Sequence, residues 1–234
     1  MVDSSHRAAF AVIFDFDGVI IDSETPEFEA HRQIFASHGL DLTIEEWCAC
    51  VGLWQAISWF DVLTSRGATT LSREAFLTDK RRIAREVLQM ETLPGIRDLL
   101  NDLRTRGVPL AVASTSPARW VLPAADALGI RPYFNAIVTG DDVERRKPAP
   151  DVYLLAASTL GIEPSRCVAI EDTRPGLVAA KTAGMRVIVI PHWLTETHDL
   201  SEADLSVRSA DELSIDRLQD LAGVSGSPKP NGPA

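Results

Sequence analysis

Residues 10–24 read FAVIFDFDGVIIDSE, and the fold turns on how that stretch is understood. The run Phe10–Phe14 is apolar throughout, without the alternation of a half-exposed strand, which suits a strand covered on both faces. It ends in two carboxylates, Asp15 and Asp17, and Gly18 permits the chain to bend there. A buried strand that stops at acids fits an open parallel sheet, whose ligands bind at the carboxyl ends of its strands.

Working outward, more runs of the same kind follow at Pro109–Ala113, Ala136–Val138, Cys167–Ile170 and Val187–Ile190. Helix-period segments lie between them. In Gly95–Arg106 the residues Ile96, Leu99, Leu100 and Leu103 mark one face. Trp120–Leu128 and Asp151–Leu160 behave alike, closed by Gly129 and Gly161. Strand alternating with helix predicts an α/β fold, a parallel sheet with helices on both sides. From Ser23 to Leu93 no strand signal occurs. Thr43 and Glu46 spell a capping box, and Ser72 caps a helix whose apolar face is Phe76, Leu77, Ile83, Val87 and Leu88. About 70 helical residues are too many for a simple crossover, and an inserted helical domain is expected. The expected division is 1–22 and 93–224 for the sheet core and 23–92 for the helical insert. Residues 225–234, rich in Ser, Pro and Gly, are expected to be a disordered tail.

The 234 residues are 45% hydrophobic and 24% charged, the balance of a soluble globular chain. Acidic residues outnumber basic ones 33 to 23, for a net charge of −10, which repels nucleic acid and excludes it as an expected partner. Any phosphate site must therefore supply its own positive charge. Cys48, Cys50 and Cys167 are odd in number and unpatterned, so small buried thiols in a reducing compartment are expected. The apolar run Ala8–Phe14 is short and ends in acids, unlike a secretory signal. No stretch approaches the roughly 18 apolar residues of a membrane span. A cytoplasmic monomer with no membrane partner is the expectation.

Two carboxylates two residues apart can divide labour at phosphorus. One attacks and forms an aspartyl phosphate, and the other protonates the leaving oxygen and later deprotonates water. Alone, Asp15-Phe16-Asp17-Gly18 reads equally as a strand-end turn. Further polar clusters, however, fall at or just beyond other strand ends. Ser114 and Thr115 offer hydroxyls to a phosphoryl oxygen, or a cap to the next helix. Lys147, in Arg145-Arg146-Lys147-Pro148, can neutralise phosphoryl oxygens, or be a surface lysine. Glu171 and Asp172 are hard donors of the kind magnesium takes, or again a helix cap.

The ordered set of DFDGVIIDSE, Ser114 after a strand, Lys147 in RRKPAPD, and IEDTRPGLVAAKTAG resembles the haloacid dehalogenase superfamily, near its beta-phosphoglucomutase-like and phosphoglycolate-phosphatase-like branches. The resemblance runs over about residues 10–190. It implies a Rossmann-like core of strand order 5-4-1-2-3 with a helical cap inserted after the first motif. It further implies Asp15 as nucleophile and metal ligand, and Asp17 as general acid/base with its backbone carbonyl on Mg2+. Ser114, with Thr115 beside it, and Lys147 would hold the phosphoryl group. Asp172 would bind magnesium, with Glu171 a direct or water-mediated partner. The implied activity is magnesium-dependent hydrolysis of a small phosphorylated metabolite, a sugar phosphate or a phosphoglycolate-like monoester.

The alternatives are a phosphosugar mutase and a non-catalytic regulatory module. Dehalogenation is disfavoured by Asp17, which the resembling dehalogenases lack. Against a mutase, Glu27 stands where resembling mutases carry a cap-hinge histidine, and no Lys or Arg occurs between Gln33 and Ser65. A cleft poor in positive charge, suited to substrates with a single phosphate, is the resulting expectation. Lys80-Arg81-Arg82 is the counterweight, and Trp54 and Trp59 are expected in the core of the cap.

Overall fold

The structure, a computed structural model, describes residues 10–51, 57–68 and 70–224. Trp54 and the expected tail 225–234 lie outside the described residues. The strands are β1 (Ala11–Phe14), β2 (Leu110–Ala113), β3 (Ala136–Val138), β4 (Cys167–Glu171), β5 (Arg186–Val189) and β6 (Leu205–Ser206). They form one parallel sheet in the order β3-β2-β1-β4-β5-β6. Its first five strands are the expected order 5-4-1-2-3 read from the other edge. The sixth is an addition: Leu205-Ser206 is too short to stand out as an apolar run, and only pairing with β5 makes it a strand.

Successive side chains on a strand point to opposite faces, and β1 to β5 each feed two separate apolar layers. Val12, Phe14, Val112 and Ile170 pack with α5 (Ile96–Thr105), α6 (Ala118–Ala127) and α9 (Ile215–Leu221). Ala11, Ile13, Ala111 and Ala169 pack with α7 (Asp151–Leu160) and α8 (Arg174–Thr182). This double burial is why the strands read as continuous apolar runs.

Between β1 and β2 the chain builds α1 (Glu24–Ser37), α2 (Ile44–Cys48), α3 (Trp59–Ser65) and α4 (Arg73–Val87). Their starts are chemically specified: the Thr43/Glu46 capping box forms, and the Ser72 hydroxyl accepts from the Ala75 amide at 3.1 Å. Phe28, Phe35, Trp47, Leu63, Phe76 and Ile83 make a third apolar cluster. Of the expected face of α4, Phe76 and Ile83 are buried, whereas Leu77 is 37% exposed. Trp59 stacks on Trp47 with ring centroids 5.3 Å apart. Cys48 and Cys167 are buried and Cys50 is half-buried.

Leu194, from the loop after β5, is fully buried in this helical cluster although in sequence it lies between β5 and β6 of the sheet. The same loop sets Trp193 Nε1 2.9 Å from the Thr25 hydroxyl and His198 Nε2 3.2 Å from the Cys48 carbonyl. Burying a leucine side chain contributes about 2 kcal/mol, so this strap ties helices to sheet in addition to the two chain crossings. At the return crossing, the Leu93 amide donates to the Ile20 carbonyl at 2.9 Å. Among the described residues no helix is long and apolar enough to cross a membrane.

Candidate active site

β1 lies between β2 and β4, so the ends of these three strands bring Asp15, Ser114 and Glu171 together. Strand order reverses here, which opens a crevice at the carboxyl ends. The Asp15 amide still belongs to the ladder, donating to the Ile170 carbonyl at 2.9 Å. Beyond it the chain curls: the Ile20 amide donates to the Phe16 carbonyl, and the Gly18 amide to the Ile21 carbonyl, each at 2.9 Å. Gly18 has φ +76°, and a Cβ there would collide with the Asp172 carboxylate. Glycine is thus required for both conformation and close approach.

Asp15, Glu171 and Asp172 are buried and offer oxygens within 4.8 Å of one another. The Lys147 ammonium sits between two of them, 2.8 Å from Asp15 Oδ1 and 2.7 Å from Glu171 Oε1. Glu171 also accepts from the Tyr153 hydroxyl, from the Asp172 amide at 3.2 Å and from the Thr173 hydroxyl at 3.4 Å. Its position depends on Gly176 in the first turn of α8, where any Cβ would strike the Glu171 carboxyl.

Glu171 is therefore well satisfied, but Asp172 is not: both its carboxylate oxygens are buried without a hydrogen-bond partner. Such a group is costly unless something pairs with it. Burial first, then repulsion from Glu171, pushes Asp15 up to about 7 against the pull of Lys147. The same causes hold Asp172 well above the usual carboxylate range. Burial opposes the charge on Lys147, yet Asp15 and Glu171 together keep its pKa raised. Three carboxylates face one ammonium, and the donors are all hard oxygens. A divalent cation such as Mg2+ fits this set, with the orphaned Asp172 as its clearest ligand.

Asp17 faces away from this group. Its carboxylate accepts from the Ser23 hydroxyl at 2.6 Å, the Ser116 hydroxyl at 2.6 Å and Trp120 Nε1 at 2.8 Å. Ser114, 1% exposed, donates weakly to it at 3.4 Å and accepts from the Ser116 amide at 3.0 Å. Ser114 does not cap α6; Asp141 accepts from the first amide of that helix, Ala118, at 2.9 Å. Thr115 lies beside it on the cleft wall. Sequence reasoning missed Ser23, Ser116, Trp120 and Tyr153. Ser116 stands two residues beyond Ser114 and carried a faint signal; Tyr153 carried none, because only packing of α7 under the sheet aims its hydroxyl at Glu171.

A cleft of about 830 Å3 separates these strand ends from the helical region, with Asp17, Lys147, Thr115, Ser116 and Trp120 on the sheet side. On the helical side the expectation of scarce positive charge fails. The stretch 34–64 indeed lacks cations, but α4 turns Lys80, Arg81 and Arg85 to the cleft, and Arg119 and Arg146 face them. Glu27 meets Lys80 at 2.8 Å, and Arg82 instead pairs with Glu86 at 3.0 Å on α4. Glu24, buried beside these groups, is raised to about 8 by burial and then by Asp17 and Glu27.

The family model described as haloacid dehalogenase-like hydrolase matches residues 12–190. The YhcW protein of Bacillus subtilis is 36% identical over 211 residues, which cover 90% of this chain and 96% of that one. The phosphorylated carbohydrates phosphatase of Thermotoga maritima is 32% identical over 197 residues, covering 82% and 90%. Among solved structures, CbbY from Rhodobacter sphaeroides in complex with phosphate superposes with a TM-score of 0.68 at 29% identity, covering 91% of this chain and 100% of that one.

Proposed function

The chain belongs to the haloacid dehalogenase-like hydrolases and is a phosphatase of that family, and we propose that it hydrolyses small phosphorylated metabolites with Mg2+ through an aspartyl phosphate on Asp15. The observation that carries this reading is the pairing of Asp15 with Lys147 beside the unpartnered oxygens of Asp172. A carboxylate gripped by an ammonium at a strand end is placed to attack, and the orphaned acid beside it asks for a cation.

In this reading an Asp15 oxygen attacks phosphorus as the bond to the ester oxygen breaks. Asp17 delivers a proton to that departing oxygen. Asp17 then takes a proton from water, whose oxygen attacks phosphorus and returns Asp15 as a carboxylate with release of inorganic phosphate. Lys147 and the Ser114 hydroxyl hold the phosphoryl oxygens, with Thr115 alongside. Glu171 and Tyr153 keep Lys147 aimed. Asp15, Asp172 and the Asp17 carbonyl would hold Mg2+, with Glu171 direct or through water, and the ion would offset repulsion between Asp15 and the phosphate. The helical region acts as a cap that excludes bulk water during the reaction.

Sugar phosphates head the substrate list, because relatives at comparable identity include a phosphatase of phosphorylated carbohydrates and one of fructose 1-phosphate. A cytoplasmic, monomeric enzyme completes the reading. Release of phosphate from p-nitrophenyl phosphate, dependent on Mg2+, is the test; full activity in excess chelator overturns it. Mutase chemistry is the second reading, supported by the family branch. Glu27 speaks against it, since it is committed to Lys80. Beta-glucose 1-phosphate with a trace of glucose 1,6-bisphosphate decides between them: glucose 6-phosphate appearing faster than inorganic phosphate favours the mutase.

A further inference from the structure

A second cavity, of about 310 Å3, lies among the helices of the insert rather than at the strand ends. Each of the four helices contributes a ring to its wall: His31 from α1, Trp47 from α2, Trp59 and Phe60 from α3, and Phe76 from α4. Close-packed interiors leave few voids larger than a water molecule, whereas this space reaches the lower end of the roughly 300–1,000 Å3 typical of small-molecule sites. Along α4, Arg73, Phe76, Leu77 and Lys80 are spaced as one face and line it. Leu77 and Arg73 are exposed and mark its mouth. Lys80 borders the catalytic cleft as well, and so stands between the two spaces.

The wall carries little net charge. Arg73 pairs with Asp61 at 2.7 Å and lies over the Phe60 ring, and Lys80 pairs with Glu27. Glu24, also on the wall, is raised to about 8, first by burial, and keeps its proton near neutral pH. Two polar atoms are left over. His31 Nδ1 lies 2.7 Å from the Glu27 carbonyl, and a carbonyl only accepts. Nδ1 therefore carries the proton and Nε2 presents a lone pair, which meets no donor among the described residues. Burial pushes this imidazole down to about 4, so it stays neutral. The Trp47 indole N–H is buried without an acceptor. One unspent acceptor and one unspent donor among flat rings match the edge of an aromatic heterocycle. A sugar would bring hydroxyls that this wall cannot pair, and unpaired buried hydroxyls are costly.

We propose that this cavity binds an uncharged aromatic heterocycle through His31 Nε2 and Trp47 Nε1, with Trp59, Phe60 and Phe76 packed against the ring. Such a ring arrives either as part of the phosphate ester or as a separate ligand. The site itself does not depend on the phosphatase reading.

Benzimidazole and benzofuran test it, being equal in size, the first with an N–H and the second without. Calorimetric titration of the wild-type chain should show one benzimidazole site, benzofuran about fivefold weaker, and no uptake of glucose. His31→Phe keeps a ring and removes the acceptor, so that preference should disappear. Cys50 also lines the cavity; Cys50→Phe fills it and should abolish binding, and this variant decides the location if His31→Phe does not fold. Melting temperatures are taken alongside. Failure of benzimidazole to bind, equal binding of benzofuran, or tighter binding of glucose overturns the proposal. An unchanged preference in folded His31→Phe, or undiminished binding in folded Cys50→Phe, does the same. Adenosine 5'-monophosphate is ribose 5-phosphate with such a ring attached, and this pair separates the sources. A kcat/KM about tenfold higher for the nucleotide, lost in Cys50→Phe, makes the ring part of the substrate. Equal values, with benzimidazole still titrating, make it a separate ligand. A chain that releases phosphate from neither ester nor from p-nitrophenyl phosphate fails the phosphatase reading and leaves the titration standing.

Discussion

Asp15 and Asp17 are two residues apart yet live in different surroundings, and that difference divides their work. Asp15 is buried against Lys147 and the metal-capable acids. Asp17 hangs among the donors of Ser23, Ser116 and Trp120. Asp15→Asn is expected to abolish turnover while leaving the melting temperature close to wild type, because an amide cannot attack phosphorus; retention of more than about a tenth of the activity contradicts the nucleophile assignment. Asp17→Asn is expected to slow release of an alkoxide far more than release of p-nitrophenolate, which barely needs a proton. Single-turnover rates on both esters check this, and equal losses remove Asp17 from the acid role. The family resemblance implied which acid takes which role, and the pair of acids at a strand end was legible in the sequence itself. The donors around Asp17 were not: Ser114, Ser116 and Trp120 lie 97, 99 and 103 residues away in the chain.

Helix α1 carries a charge decision of its own. His31 lies among the rings of Trp47, Phe76 and Trp59, at centroid distances of 4.9, 5.6 and 6.2 Å. Its Nδ1 is 2.7 Å from the Glu27 carbonyl, with the Glu27 carboxylate 4.0 Å away and Lys80 beyond it. Burial outweighs the help from Glu27 and pushes the imidazole down to about 4. As pH falls below the ordinary histidine range near 6.5, the unfolded chain takes a proton that the folded chain refuses. Stability attached to His31 is therefore intact above about 6.5 and is lost progressively toward about 4, on the order of 3 kcal/mol in all. Urea midpoints of wild type and His31→Gln across that interval measure it: the variant should show the shallower loss, and parallel curves would mean His31 is not the group. The apolar periodicity of α4 was likewise only half legible. It announced a helix, but not that Arg81 and Arg85 would face the cleft while Arg82 faces Glu86.

At the scale of the whole molecule, the site holds more negative charge than the fold can comfortably bury, and a cation should stabilise the entire chain. Magnesium is expected to raise the melting temperature, by about 2.7 kcal/mol of stability at a concentration a hundredfold above its dissociation constant. Asp172→Asn should melt at least as high as wild type in chelator, since one of three crowded carboxylates loses its charge, and should lose most of the magnesium response. Thermal melts with and without Mg2+ check both, and a wild-type melt indifferent to magnesium refutes the site. The strands and their parallel sheet were determined by the sequence alone, because doubly buried strands must be apolar throughout, and acids follow directly on β1 and close β4. The strand order, and with it the switch point, came only with the family resemblance. Tertiary structure alone decided the rest: the Leu194 strap, the two-residue sixth strand, Tyr153 beneath Glu171, and the arginine rim. Local pattern says that a helix has a face, but which neighbour that face meets is a relation between segments far apart in the chain, and only packing settles it.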